Sequence, residues 1–332
     1  MLDKNILDQV KGVFASLKSQ ITFAATSKKD DEKKGELQEF LNDIASTSEK
    51  LSVSFTEEEN TQLSFKLLKD GNETGITFRG IPNGHEFTSF LLAVLNTDGQ
   101  GKNFPDEAIQ RRIKSLKGKI VLKTYVSLTC TNCPDVVQAL NLMSLINPNI
   151  RHEMVDGGIY QQEISDLNIQ GVPAVYCNNE SLHIGRGDLG ILLQELEDMV
   201  GSEALENEES IERKYDVIVI GGGPAGASAA IYSARKGLKV GLVAERIGGQ
   251  VNDTTGIQNL ISVPNTNGTQ LAADLKAHLS DYPIELFEHR KIASVSLKEK
   301  IKSIKVKGGE VFKAPAVIIA TGANWRTLHA GE

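Results

Sequence analysis

Tyr215–Glu245 reads YDVIVIGGGPAGASAAIYSARKGLKVGLVAE, and its punctuation decides the architecture of the last third of the chain. Tyr215–Ile220 is an apolar run of the kind that forms a buried strand. Gly221, Gly222, Gly223, Pro224, Ala225 and Gly226 follow as a turn in which Gly221, Gly223 and Gly226 meet a GxGxxG frame. Glycines at that spacing permit a tight turn, let a pyrophosphate approach the backbone and allow a helix to pack closely on a strand. Ala227–Lys236 predicts the helix, whose N-terminal N–H groups are free for an anion. A second strand, Lys239–Ala244, ends at Glu245, 19 residues beyond Gly226, where a carboxylate can accept hydrogen bonds from ribose hydroxyls. Strand, turn, helix, strand and acid together predict a dinucleotide site. The frame does not separate FAD from NAD.

The sequence upstream has a different texture. Gly201–Lys214 holds five glutamates, two basic residues and almost nothing to bury, so 201–214 is expected to be an acidic, flexible linker. Two blocks precede it, 1–101 and 102–200. In the first, Leu2, Ile6, Val10, Val13 and Leu17 share a helical face, Ile21–Ala25 reads as a strand and Lys28–Lys34 as a solvated turn before a helix. Leu51–Phe55, Leu63–Leu68 and Ile76–Ile81 read as strands, the last two joined through Lys69-Asp70-Gly71-Asn72, and a helix over Glu86–Leu95 closes the block. The second block predicts a helix near Pro105–Leu116, a strand at Ile120–Leu128 and a helix after Cys133 that Asn147-Pro148 stops. A strand at Arg151–Val155, a short helix, strands at Ala174–Cys177 and Ser181–Ile184, and a helix turning Leu189, Leu192, Leu193, Leu196 and Val200 inward complete it. The order of elements agrees although few residues do, which reads as an internal duplication. The third block, 215–332, includes a further strand at Ala316–Ala320.

Composition sets bounds on function. The 332 residues carry 36 Lys and Arg against 43 Asp and Glu, a net charge of −7 that argues against a nucleic-acid or anionic-membrane partner. With 40% hydrophobic and 24% charged residues, disorder throughout is excluded. Three cysteines are too few for a secreted disulfide scaffold. MLDKNILDQV has two aspartates and no apolar block, so no signal peptide is expected. The longest uncharged stretch, Val217–Ala234, contains the glycine turn and would make a poor membrane helix. A soluble, cytoplasmic protein is expected.

Cys130-Thr131-Asn132-Cys133-Pro134 stands where an apolar strand gives way to a helix. Two thiols three positions apart can close a small disulfide, and the N–H groups and dipole of the helix favour a thiolate there. Cys130 is placed to attack and Cys133, one turn in, to release a mixed disulfide. A zinc site would need further ligands such as Cys177, His152 or His183, and no second cysteine pair exists, so no metal is assigned. Cys177 reads as a buried small hydrophobe. In the first block Ala24-Ala25-Thr26-Ser27 stands where the dithiol would be, so that half is redox-silent. It can still lend a side chain: Glu86 reads either as an acid favoured by a helix N-terminus or as a carboxylate able to take a thiol's proton. Pro173, in Gly171-Val172-Pro173-Ala174, reads as a proline opening a strand.

With CTNCPDVVQALN and Tyr215–Glu245 both in view, together with GGQ, SVPNT and ATGANWR, the chain resembles the flavoprotein (AhpF) family of alkyl hydroperoxide reductases. The resemblance runs across all 332 residues. It implies an α/β chain of two tandem thioredoxin-like folds, the linker, and a partial, three-layer Rossmann-like FAD-binding domain. It implies that Cys130 attacks the disulfide of a two-cysteine peroxiredoxin, the AhpC partner, in alkyl hydroperoxide and hydrogen peroxide detoxification, with Cys133 as resolver. Glu86 matches a family glutamate near the dithiol, and Pro173 a cis proline facing it. Gly221–Gly226, Glu245, Arg246, Gly249, Gln250, Asn259, Thr321 and Gly322 would hold FAD, with NADH as electron donor and a homodimer as the family's assembly. The family continues into an NADH-binding domain with a second CxxC, whereas no cysteine follows Cys177 here. A truncated product, a fragment or one half of a split system is therefore expected, retaining exchange at the dithiol without NADH-driven turnover. Two other readings stay open: a partner-docking module whose nucleotide domain is structural, and a dithiol oxidoreductase fed directly by flavin.

Overall fold

Asp70 (φ +49°) and Gly71 (φ +83°) both adopt the left-handed conformation, so the strands beside them close through the two-residue turn that Asp-Gly favours. That hairpin belongs to a computed structural model that describes residues 2–59, 61–101, 103–203 and 210–323 and separates into two units, 1–205 and 206–332. The first unit begins α1 (Lys4–Phe14), β1 (Ile21–Ser27), α2 (Lys34–Ala45), β2 (Leu51–Glu57), β3 (Ser64–Lys69), β4 (Asn72–Arg79) and α3 (Glu86–Asp98). It continues α4 (Glu107–Lys114), β5 (Ile120–Val126), α5 (Cys133–Ile146), β6 (Ile150–Asp156), α6 (Gln161–Asp166), β7 (Ala174–Cys177), β8 (Glu180–Ile184) and α7 (Leu189–Val200).

The two series build one eight-stranded sheet in the order β2-β1-β3-β4-β6-β5-β7-β8. Each half contributes a parallel pair (β1 with β2, β5 with β6) extended by an antiparallel hairpin, so the thioredoxin-like pattern is repeated. The halves meet where β4 pairs in parallel with β6, from Ile76 opposite His152 to Arg79 opposite Val155. In the first half Phe23, Phe65, Phe78 and Phe90 pack with ring centroids 5.2–6.1 Å apart, an arrangement whose edge-on contacts add to the burial itself. In the second, Ile109, Ile113, Leu140, Leu192 and Leu193 form a separate core, and the buried Arg112 grips Glu197 through Nε and Nη2 at 2.8 and 2.9 Å, tying α4 to α7.

A buried polar trio pins α5 to the sheet. His152 Nδ1–H donates to Asn141 Oδ1 at 2.7 Å on α5, and the Thr124 hydroxyl on β5 donates to Nε2 at 2.8 Å. Only the neutral ring can act as donor and acceptor at once. Burial drives its pKa down to about 3.

The second unit contains β9 (Glu212–Lys214), β10 (Val217–Ile220), α8 (Pro224–Ala234), β11 (Val240–Val243), a 3₁₀ turn (Gly249–Asp253), α9 (Gly268–Ser280), β12 (Ile284–Phe287), β13 (Ile292–Ser296), β14 (Lys302–Val306), β15 (Val311–Ala314) and β16 (Ala316–Ile319). β12-β11-β10-β16 form a parallel sheet, and β13-β14-β15-β9 a second, mostly antiparallel one. Glu212–Lys214, the end of the stretch expected to be a flexible linker, is therefore a strand: it pairs with β15 and is held by Arg213–Glu310 and Lys313–Glu212 ion pairs. Residues 204–209 of that stretch, and Trp325-Arg326 of ATGANWR, lie outside the described residues.

Because the His152 ring stays neutral in the fold and takes a proton when unfolded, the trio's contribution is whole above pH 6.5 and declines as pH falls toward 3. His152→Leu should cost about 2–4 kcal/mol at pH 7.5, since Thr124 and Asn141 lose their partner. In denaturant titrations the gap from wild type should narrow by about 2 kcal/mol at pH 5; a gap independent of pH would contradict this.

Candidate functional site

The dithiol forms around the turn that ends β5. Cys130 N–H donates to Ser127 O at 2.9 Å, closing the turn, and Cys133 is the first residue of α5. Cys130 is half-buried and Cys133 fully buried, both as free thiols. Cys130 Sγ–H donates to the carbonyl of Val172 at 3.7 Å, so the outer sulfur rests on the backbone just before Pro173. The Val172–Pro173 peptide bond is cis. Burial first, then the hydrogen bond with Cys130, pushes the Cys133 thiol far above its ordinary range; the charges of Cys130 and Glu86 add to this.

The redox-silent half reaches this site through α3. Gly84 (φ +56°) lies so close to Leu128 that a Cβ would sit 2.4 Å from its carbonyl oxygen, and that oxygen accepts a hydrogen bond from His85 N–H at 3.0 Å. The contact holds the start of α3 against the turn before Cys130. It brings Phe90, Ala93 and Val94 of α3 into one core with Cys133 and Val137 of α5. Glu86, in the first turn of α3, is fully buried there, and no hydrogen bond of ordinary geometry reaches either carboxyl oxygen. Burial raises its pKa to about 7; the Ser89 hydroxyl partly offsets this and the charge of Asp135 adds to it. A carboxyl held near neutrality beside a buried thiol is suited to exchange a proton with it.

Sequence reasoning left Glu86 undecided and did not single out Gly84, Ser89 or Asp135. The Asn83-Gly84 pair was the available signal, because Gly after Asn marks a chain reversal. Cys177 is buried in the second half's core. Among the described residues no group of three or more His, Cys, Asp or Glu is placed to hold a metal ion, and no helix is long and apolar enough to cross a membrane.

In the second unit the glycine turn joins β10 to α8 at the point where the sheet order reverses, with β11 on one side of β10 and β16 on the other. Open parallel sheets bind ligands at such crevices. A Cβ on Gly226 would lie 1.9 Å from Gly221 O, one on Gly221 2.2 Å from Ala320 O, and one on Gly222 2.5 Å from Arg246 O. At Gly223 the surroundings are open, with the nearest atom 4.0 Å away. Gly223 is the N-cap of α8, Pro224 follows in its first turn, and no side chain caps the helix, which leaves N–H groups for an anion. A dinucleotide pyrophosphate fits this cradle. Gly249 packs on Gly223, Thr321 on Gly221, and Gln250 donates to the carbonyl of Ala323. Glu245, exposed, follows β11 and accepts His289 N–H at its carbonyl. Gly222–Arg246, Gly223–Gly249 and Gly221–Thr321 are thus brought together, with Gly322 next in the chain. Asn259 is exposed between the Ile257–Thr266 and Leu260–Val263 bridges, away from these contacts.

Comparison with known proteins agrees with both sites. Residues 215–332 match the pyridine nucleotide-disulphide oxidoreductase family. The alkyl hydroperoxide reductase flavoprotein AhpF of Staphylococcus aureus (strain MRSA252) is 43% identical over 329 residues, 99% of this chain and 63% of that protein. A Bacillus subtilis (strain 168) protein named NADH dehydrogenase is 42% identical over the same shares. The crystal structure of the NTD_N/C domain of alkylhydroperoxide reductase AhpF from Enterococcus faecalis (V583) matches with a TM-score of 0.56 at 32% identity, covering 59% of this chain and all of that one. The chain spans less than two thirds of the length of these curated relatives. By its identity to them and its repeated thioredoxin-like fold, it belongs to the AhpF family of alkyl hydroperoxide reductases.

Proposed function

We propose that the chain is a peroxiredoxin disulfide reductase whose exchange centre is Cys130–Cys133 and whose 215–332 segment binds FAD, in a cytoplasmic system that detoxifies alkyl hydroperoxides and hydrogen peroxide. The observation that carries this reading is the buried Glu86 carboxyl, supplied by a half without cysteines at its dithiol position, against the buried resolving thiol of the other half. A structural dithiol needs no such neighbour. We take 1–101 as the silent fold, 102–200 as the redox fold and 215–332 as the nucleotide domain.

In the proposed exchange, Cys130 attacks one sulfur of the partner's disulfide as a thiolate. The partner's S–S bond breaks, a mixed disulfide forms and the departing thiolate takes a proton. Cys133 then gives its proton to Glu86 and attacks Cys130 Sγ. The second partner thiolate leaves and is protonated in turn. The chain ends with a Cys130–Cys133 disulfide, and two electrons and two protons have passed to the partner. Pro173 and Val172 hold the backbone edge against which the outer sulfur rests. Gly221–Gly226 would cradle the pyrophosphate of FAD and Glu245 its ribose, with Arg246, Gly249, Gln250, Asn259, Thr321 and Gly322 around it. FAD, when bound, supplies two-electron capacity, and the name of the B. subtilis relative supports NADH as its donor.

The direct test mixes the pre-reduced chain with an oxidised two-cysteine peroxiredoxin and counts thiols transferred. We expect about one dithiol per chain and none from Cys130→Ser; no transfer, or equal transfer by the variant, would refute the proposal. Glu86→Gln should slow formation of the Cys130–Cys133 disulfide at pH 7.5 by roughly tenfold to a hundredfold. It should also remove the rise in rate that wild type shows as pH passes about 7. The ionised carboxylate costs the fold stability as pH rises from 4.5 to 7, so the same variant should be the more stable one above pH 7, by at most about 3 kcal/mol. Gly223→Ala should leave the melting temperature unchanged yet weaken FAD binding at least about tenfold, because a methyl group there meets only the space a ligand would fill. Unaltered flavin affinity in that variant would show that the cradle is not the binding site.

A further inference from the structure

The loop after β8 is held by a single side chain. His183, on β8 opposite Val175, is nearly buried, with 10% of its side chain exposed. Nδ1 lies 3.0 and 3.2 Å from the two carboxyl oxygens of Glu195 on α7. Nε2 lies 3.1 Å from the carbonyl oxygens of both Gly185 and Arg186. All four oxygens are acceptors. A neutral ring carries only one N–H, so it would set a nitrogen lone pair against oxygen lone pairs on its other side. The arrangement therefore assigns the doubly protonated imidazolium, with a donor facing each element. Gly187 closes over the ring, where a Cβ would come within 2.7 Å of Nε2.

The held loop reaches the dithiol. Gly185 N–H donates to the carbonyl of Pro173 at 2.8 Å, and the carbonyl of Val172 accepts from Cys130 Sγ at 3.7 Å. An unbroken path thus runs from Glu195 through His183, Gly185, Pro173 and Val172 to Cys130. Arg186 stands on the same loop and faces Asp135, in the first turn of the dithiol helix: burial pushes that carboxyl up, and the Arg186 charge offsets part of the rise.

We infer that His183 is a positioning residue for exchange with protein disulfides: its imidazolium clamps residues 185–187 to α7 and so fixes the backbone edge at 172–173 beside which a partner's disulfide must lie. This rests on the proposed role of Cys130. A small disulfide needs no such edge, so the clamp acts on protein substrates alone.

The test compares wild type with His183→Phe, which keeps a ring under Gly187 and removes both donors, and with Glu195→Gln, which keeps an acceptor and removes the charge. Full-length reduced chains are mixed with increasing oxidised two-cysteine peroxiredoxin and, separately, with hydroxyethyl disulfide. The half-saturating peroxiredoxin concentration should rise roughly tenfold in His183→Phe and less in Glu195→Gln, with the limiting rate and the hydroxyethyl disulfide rate unchanged. Hydrogen exchange at the Gly185 amide should quicken by about the same factor. Unchanged half-saturation, or a loss shared equally by the small disulfide, would overturn the inference. If wild type itself fails to reduce the peroxiredoxin, the functional proposal falls, and the Gly185 amide decides the clamp alone: faster exchange in His183→Phe upholds it and unchanged exchange refutes it.

Discussion

The parallel pairing of β4 with β6 is the constraint on which the first unit depends. Two thioredoxin-like halves joined only by a loop would each present a helix to solvent. Registered edge to edge in one sheet, they instead set α3 beside α5, and the apolar residues of both helices fall into one core. Glu86 enters that core because it occupies the first turn of α3, and Cys133 because it opens α5. Gly84 allows the last ångströms of approach, since any side chain there would strike the Leu128 carbonyl.

A carboxyl buried without ordinary hydrogen bonds works against the fold. Such a group costs a few kcal/mol unless it stays protonated, which is why its pKa is displaced upward. The surrounding phenylalanine cluster offsets the cost by burying large rings in mutual contact. The same low-dielectric environment discourages ionisation of Cys133. Two acids that each resist charging, in one enclosure, pass a proton between them without placing a free charge in the core. His152 contrasts with them: it is equally buried, but both ring nitrogens are matched to a partner, and it anchors α5 as a neutral group.

Much of this was legible in the sequence where chemistry and local geometry coincide. GGGPAG between two apolar runs specified the turn and its helix, and Asp70-Gly71 specified a hairpin. A dithiol before a helix marked the exchange centre through residues three positions apart. What stayed hidden depended on distant pairing. Nothing within Glu86–Leu95 tells that Glu86 faces a neighbouring half and not water, because the β4–β6 register decides it. β13 and β14 escaped notice because exposed serines and lysines alternate with few apolar residues, as befits strands with one wet face. Glu212–Lys214 read as linker by composition and becomes a strand only through its partner β15. His183 looked like a spare metal ligand until the loop folded its carbonyls onto the ring.

The most direct measurement of the central claim is the titration of the Glu86 carboxyl in the reduced chain, followed by carbon-13 NMR with Glu86→Gln to assign the signal. The account predicts a carboxyl still protonated at pH 6 that titrates near 7. A Glu86 signal already that of a carboxylate at pH 5.5 would contradict it, and the silent half would then serve the dithiol as scaffold alone.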